Sequence, residues 1–91
     1  MSKHLTPTDV ALRLFGGAKG VGLVIASHEK TPLAWKRGSQ WREPGDIPST
    51  RIMRLLLASA KFRGIPLTAE HLIYGASEAE MAALSGQKEA A

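Results

Sequence analysis

Apolar residues recur along the chain at spacings of three and four, and glycine and proline break them into five or six short helices. The first predicted helix follows TPTDV. Thr6 or Thr8 is its N-cap, Asp9 lies in its first turn, and Val10, Ala11 and Leu14 share a face up to the Gly16-Gly17 pair. A second helix covers about 18–25, with Val21, Val24 and Ile25 as its stripe. Gly20 and Gly22 each cost such a helix about 1 kcal/mol relative to Ala, so Gly22 is expected either where another backbone comes close or in a glycine-rich loop. The third element takes Thr31 as N-cap and Pro32 as first helical residue, then runs through Leu33 and Trp35 to Arg37. RGSQWREPGD reads as a loop in which Trp41 either folds back onto the core or stays exposed.

The longest helix begins at Pro48 or Ser49 and stops at Gly64, with Ile52, Leu55, Leu56, Ser59 and Phe62 along one side. Its other side is basic: Arg51, Arg54 and Lys61 fall within about 80° of one another at about 100° per residue, and no acid lies between Ile47 and Gly64. A fifth helix is capped by Thr68, turns Leu72 and Ile73 inward and ends at Gly75. In the sixth, Ser77 and Glu80 form a capping box, Met81 and Leu84 make a small stripe, and Gly86 follows the end. The last five residues are expected to fray. No segment alternates like a strand, so the predicted fold class is all-α, a compact five- to six-helix domain. Residues 1–76 form the main unit and 77–91 a short C-terminal helix and tail.

The 91 residues are 44% apolar and 22% charged, enough for one small core, and contain no cysteine. That excludes disulfides, thiolate metal sites and a cysteine nucleophile. No apolar run nears the roughly 18 residues of a membrane span, and MSKHLTPTDV has no apolar leader, so a cytoplasmic location is expected. His4, His28 and His71 lack metal-ligand spacing, and Asp9, Glu29, Glu43 and Asp46 show no acid–base pairing. GGAKG lacks the spacing and the Lys-Ser/Thr ending of a phosphate loop. Neither an enzyme nor a cofactor is expected. Charge is unevenly spread: residues 1–64 carry 11 Lys and Arg against 4 Asp and Glu, whereas residues 65–91 carry 1 against 4. Such asymmetry fits a polyanionic partner.

Two short helices across a tight turn, the second holding a tryptophan, are arranged like a helix-turn-helix. If the unit begins at Ala18, its close-packing small residue falls on Gly22, its small turn residue on Ala26 and its inward anchor on Trp35. Here the sequence resembles the Cro/CI-like prokaryotic and phage regulators, in particular the YdaS and carph-isopro branch. The likeness runs through LRLFGGAKGVGLVIASHEKTPLAW and DIPSTRIMRLLLASAKFRGIPLTAEHL, over roughly residues 8–73. Its most specific parts are Phe15-Gly16-Gly17, Trp35, Ile47-Pro48 and Gly64-Ile65-Pro66-Leu67-Thr68.

The resemblance implies a lambda-repressor-like fold with a reading helix at about 30–37 in the major groove of double-stranded DNA. His28, Lys30, Thr31, Ala34 and Arg37 would face DNA, and Lys19, Ser49 and Thr50 would meet phosphates. Lys30, near the helix start, is expected to reach a base, Lys36 and Arg42 phosphates, and Arg37 either; Gln40 flanks them beside Trp41, whose ring either packs on the sugar-phosphate backbone or caps the core. Pro32 and Leu33 depart from the family pattern. Pro32 is expected to delay the helix start, and Leu33 and Ala34 to offer only apolar contact, for example to a thymine methyl. The implied role is a transcriptional regulator, a repressor occupying an operator. One such helix spans about 4 to 5 base pairs, so a homodimer is expected, with Met81 and Leu84 as its contact. The alternative is a protein-interaction module whose helix, with Leu33 and Ala34 outward, docks on a toxin, polymerase or other regulator.

Overall fold

Thr6, rather than Thr8, caps helix α1 (Pro7–Leu14) in the computed structural model, which describes the backbone of residues 4–90 and the side chains of residues 4–84. The Thr6 hydroxyl accepts the Asp9 N–H at 3.2 Å, and the Asp9 carboxylate accepts the Thr6 N–H at 3.4 Å. Two N–H groups that a helix start leaves free are thus satisfied reciprocally. Thr8 turns inward instead. Its hydroxyl and N–H both donate to the Gly45 carbonyl, at 2.8 and 3.0 Å, and clamp the loop ahead of the long helix onto α1.

The Gly16-Gly17 corner leads into α2 (Gly17–Val24), which packs on both α1 and α3 (Lys30–Ala34). Helix α4 (Thr50–Arg63) starts where the Ser49 hydroxyl accepts the Ile52 N–H at 3.2 Å. It ends at Gly64, whose φ of +75° is a left-handed conformation that glycine adopts without a Cβ penalty. Thr68 caps α5 (Ala69–Tyr74). Residues β1 (His4–Leu5) and β2 (Ala76–Ser77) then pair antiparallel, His4 opposite Ser77 and Leu5 opposite Ala76. A capping box opens α6 (Glu78–Ala90): the Ser77 hydroxyl accepts the Glu80 N–H at 3.1 Å and the Glu80 carboxylate accepts the Ser77 N–H at 3.0 Å. One core gathers Val10 and Leu14, Val21, Trp35, Leu56 and Ala60, Leu72, and Met81 and Leu84.

Among the described residues, six helices, the upper number expected, therefore enclose a single core, with one two-residue strand pair that is too short to leave an alternating pattern. Several inward assignments change. Phe62 is 92% exposed: α4 turns Leu56 and Ala60 to the core, and Phe62 lies about 140° around the helix from them. Ile73 is half exposed while its neighbour Leu72 is buried. Helix α6 runs past Gly86 to Ala90, and any fraying at Ala91 lies outside the described residues.

The dimer stripe is also corrected. Met81 and Leu84 are buried in the chain's own core and are not left for a second copy. The reason is tertiary. The β1–β2 pair straddles the boundary expected at residue 76, and Arg13 of α1 makes an ion pair with Glu78 at 2.9 Å. Together they hold α6 on the domain.

Candidate nucleic-acid interface

Between α2 and α3 the backbone passes unusually close to Gly22. A Cβ at that position would stand 2.9 Å from the Ser27 carbonyl oxygen and 3.3 Å from the Glu29 Cα. The expected close approach is present, and Gly22 lies in a helix rather than a loop. Its carbonyl accepts the Ser27 N–H at 2.8 Å, which ties the turn to the helix it leaves. Ala26 takes φ of +56°, a left-handed conformation that costs an L-residue about 1–2 kcal/mol. That cost is met because the chain must reverse within the five residues that join α2 to α3. Trp35, 3% exposed, closes the unit from the far side, and its carbonyl accepts the Gly45 N–H at 2.8 Å.

Helix α3 departs from its expected start. It begins at Lys30, ahead of Pro32, and Thr31 is not its cap. Nδ1 of His28 accepts the Lys30 N–H at 3.1 Å, while the hydroxyls of Thr31 and Ser27 bond each other at 2.8 Å. Pro32 occupies the third helical position and does not delay the start, because the first N–H groups of a helix have no intrahelical partner in any case. Its ring is buried beside Trp35. After Ala34 the helix tightens: the N–H groups of Trp35, Lys36 and Arg37 bond the carbonyls three residues back, at 3.2 Å each. The helical path thus reaches Arg37.

At about 100° per residue, Lys30, Ala34 and Arg37 lie within about 60° of one another, opposite the buried Pro32 and Trp35, and all three are exposed. Leu33 flanks them, also exposed. Lys19 and His28 border a groove of about 320 Å³ with Leu23, Ser27 and Glu29, so these two candidates come together beside the turn, with one opposing carboxylate.

Other candidates are separated from this face. Lys36 lines a different groove, of about 210 Å³, with Thr6, Asp9, Pro44 and Gly45. Arg42 is corrected as a free phosphate ligand: half buried, it donates to the carbonyls of Trp35 (3.4 Å), Asp46 (3.1 Å) and Arg37 (3.4 Å). An arginine has five N–H donors in a fixed fork, and here they hold a loop. Ser49 and Thr50 are exposed at the start of α4, with the Ser49 hydroxyl engaged as the cap. Gln40 and Trp41 form the exposed tip of a two-residue hairpin between Ser39 and Arg42. That hairpin was legible only as a loop, since its paired ends are single residues. Arg63, whose guanidinium lies 5.2 Å from the centre of the buried Phe15 ring, left no sequence signal either.

Among the described residues, Arg13 is the only Lys or Arg within 4.0 Å of a carboxylate oxygen. Lys19, Lys30, Lys36, Arg37, Arg51, Arg54 and Lys61 are therefore exposed, with no ion-pair partner among the described residues inside that distance. Among the described residues, no group of three His, Asp or Glu side chains is placed to hold a metal ion, and no helix is long and apolar enough to cross a membrane. Comparisons with protein-family models, with curated proteins and with solved structures return no match.

Proposed function

We propose that this chain is a non-enzymatic helix-turn-helix protein that binds double-stranded DNA and acts as a small prokaryotic or phage regulator, a repressor occupying an operator. The observation that carries the reading is the α2–turn–α3 unit. Gly22 lets the two helices approach, Pro32 and Trp35 anchor the second helix, and the opposite side presents Lys30, Ala34 and Arg37 to solvent. A short helix held rigidly with cations outward can enter a major groove, where base edges carry a distinguishable donor and acceptor pattern. Lys19 beside the turn and the first N–H groups of α4 supply sequence-independent phosphate contacts. Lys30 is assigned to a base and Arg37 to the adjoining base or phosphate. A homodimer doubles the few base pairs that one such helix reads.

The test is a duplex titration at several salt concentrations. About 4 to 6 phosphate contacts give a slope of log affinity against log salt near −4 to −5. A second reading, a protein-interaction module, is favoured by the exposed Leu23 and Leu33 beside the same helix. Absence of duplex binding at low salt would select it.

A further inference from the structure

Next to α3, the hairpin at Ser39–Arg42 holds an indole out in solvent. Its ends are paired in both directions, Ser39 N–H to Arg42 carbonyl at 2.8 Å and Arg42 N–H to Ser39 carbonyl at 3.3 Å. The Trp41 N–H also donates to the Ser39 hydroxyl at 3.2 Å, and the Arg42 guanidinium braces the base of the hairpin on three carbonyls. Such a tip is pre-organised, so its backbone loses little freedom on binding. Trp41 is nonetheless 85% exposed, although a groove of about 240 Å³ bordered by Ile47, Pro48, Met53 and Leu72 lies directly beside it. Burying an aromatic ring is favourable, so an indole left 85% exposed on a braced hairpin is available to a contact outside the chain.

We propose that Trp41 is a nucleic-acid contact, packing its indole on the deoxyribose–phosphate backbone beside the groove entered by α3. The proposal rests on the DNA-binding reading and deepens it. Three observations select this occupant. The first is position: Arg42 links the hairpin to the Arg37 carbonyl at the end of α3, and the groove beside Trp41 includes Pro48, one residue ahead of the Ser49 cap of α4. Trp41 therefore stands between the two elements assigned to DNA. The second is charge. Among the described residues, no carboxylate oxygen lies within 4.0 Å of Arg37, at the end of α3 to which the hairpin is tied. Two carboxylates share the loop; that of Asp46 is turned onto the Glu43 N–H, and Glu43 is the exposed one.

The third is chemical fit. A duplex backbone presents the apolar C–H face of each sugar between phosphate oxygens, and an indole matches both with its ring and its single N–H donor. A stacked base would have to be unstacked first, which the sugar contact does not require. The contact carries no base information and adds affinity across sequences.

The experiment uses the full chain and a mixed-sequence 24-base-pair duplex at low salt. Because Trp35 is buried, acrylamide quenching of tryptophan fluorescence reports chiefly on Trp41. Duplex is expected to reduce that quenching by about half or more. Trp41→Ala is expected to weaken duplex binding about tenfold through the apolar area it removes from the contact, with an unchanged circular dichroism spectrum, and Trp41→Phe to recover part of the loss. A duplex that binds the chain while leaving acrylamide access and Trp41→Ala affinity unchanged would overturn this contact and spare the DNA-binding reading. No duplex binding by the parent chain would overturn both.

Discussion

Gly22→Ala tests whether the close approach of α2 to the following turn is real, because two known effects of opposite sign meet there. Alanine is the better helix former by about 0.8–1.0 kcal/mol, which at an open helical position would stabilise the protein. Here the new methyl would lie 2.9 Å from the Ser27 carbonyl oxygen, and ordinary contacts begin at 3.4 Å. The obstacle is backbone, held by the Ser27 N–H bond to the Gly22 carbonyl, so it yields only if the turn moves. Inserting a methyl into such a contact costs about 1–3 kcal/mol. Subtracting the propensity gain leaves a net destabilisation of roughly 1 kcal/mol. Urea unfolding followed by circular dichroism measures it. With a slope of about 1 kcal/mol per molar for a domain this small, the midpoint should fall by about 1 M. Leu23→Ala, one residue on and 76% exposed, is the control and should stay within about 0.5 kcal/mol. A Gly22→Ala protein that is more stable than the parent would refute the reasoning, since it would mean that the methyl meets open space.

Trp35→Ala should destabilise the fold by about 3–5 kcal/mol, whereas Lys30→Ala and Arg37→Ala should change it by less than about 0.5 kcal/mol and weaken duplex binding; thermal melts separate the two classes. Ala26→Gly should raise stability by up to about 1 kcal/mol by removing the left-handed penalty, with a rise in urea midpoint as the readout. Glu80 supplies a pH dependence. The backbone N–H of Ser77, then its hydroxyl, holds the Glu80 carboxyl below its ordinary value of 4.5, against the opposing effect of desolvation. A depressed folded value means that the stabilisation is present above about pH 4.5 and is lost as pH falls through the lower folded value. Melting temperatures between pH 6 and pH 3 should therefore fall less steeply in Glu80→Gln, which removes the titrating carboxyl, than in the parent.

Apart from the start of α3, which Thr31 does not cap, and the end of α6, which runs past Gly86, helix starts and stops were legible because the chemistry that makes them is local. Thr6, Ser49, Thr68 and Ser77 cap helices through N–H groups three residues on, and Gly64 and Gly75 end them through their own backbone. The spacing of Gly22, Ala26 and Trp35 was equally legible, since residue size alone limits what fits a close approach, a reversal and a buried anchor. Apolar stripes were less informative. Ile52 to Phe62 and Leu72-Ile73 each offered more apolar surface than one partner could cover, and only the packing of α4 and α5 in the assembled domain left Phe62 and Ile73 outside. The functional face shows the same division. Lys30, Ala34 and Arg37, which the family resemblance implied, share the exposed face of α3, but Arg42 became a loop brace, Lys36 lines a separate groove, and Met81 and Leu84 were taken by the core. A cap or a turn involves residues within about four positions, so its energy is written in adjacent letters. What a stripe or a cation meets depends on residues tens of positions away, and only the tertiary structure brings those within reach.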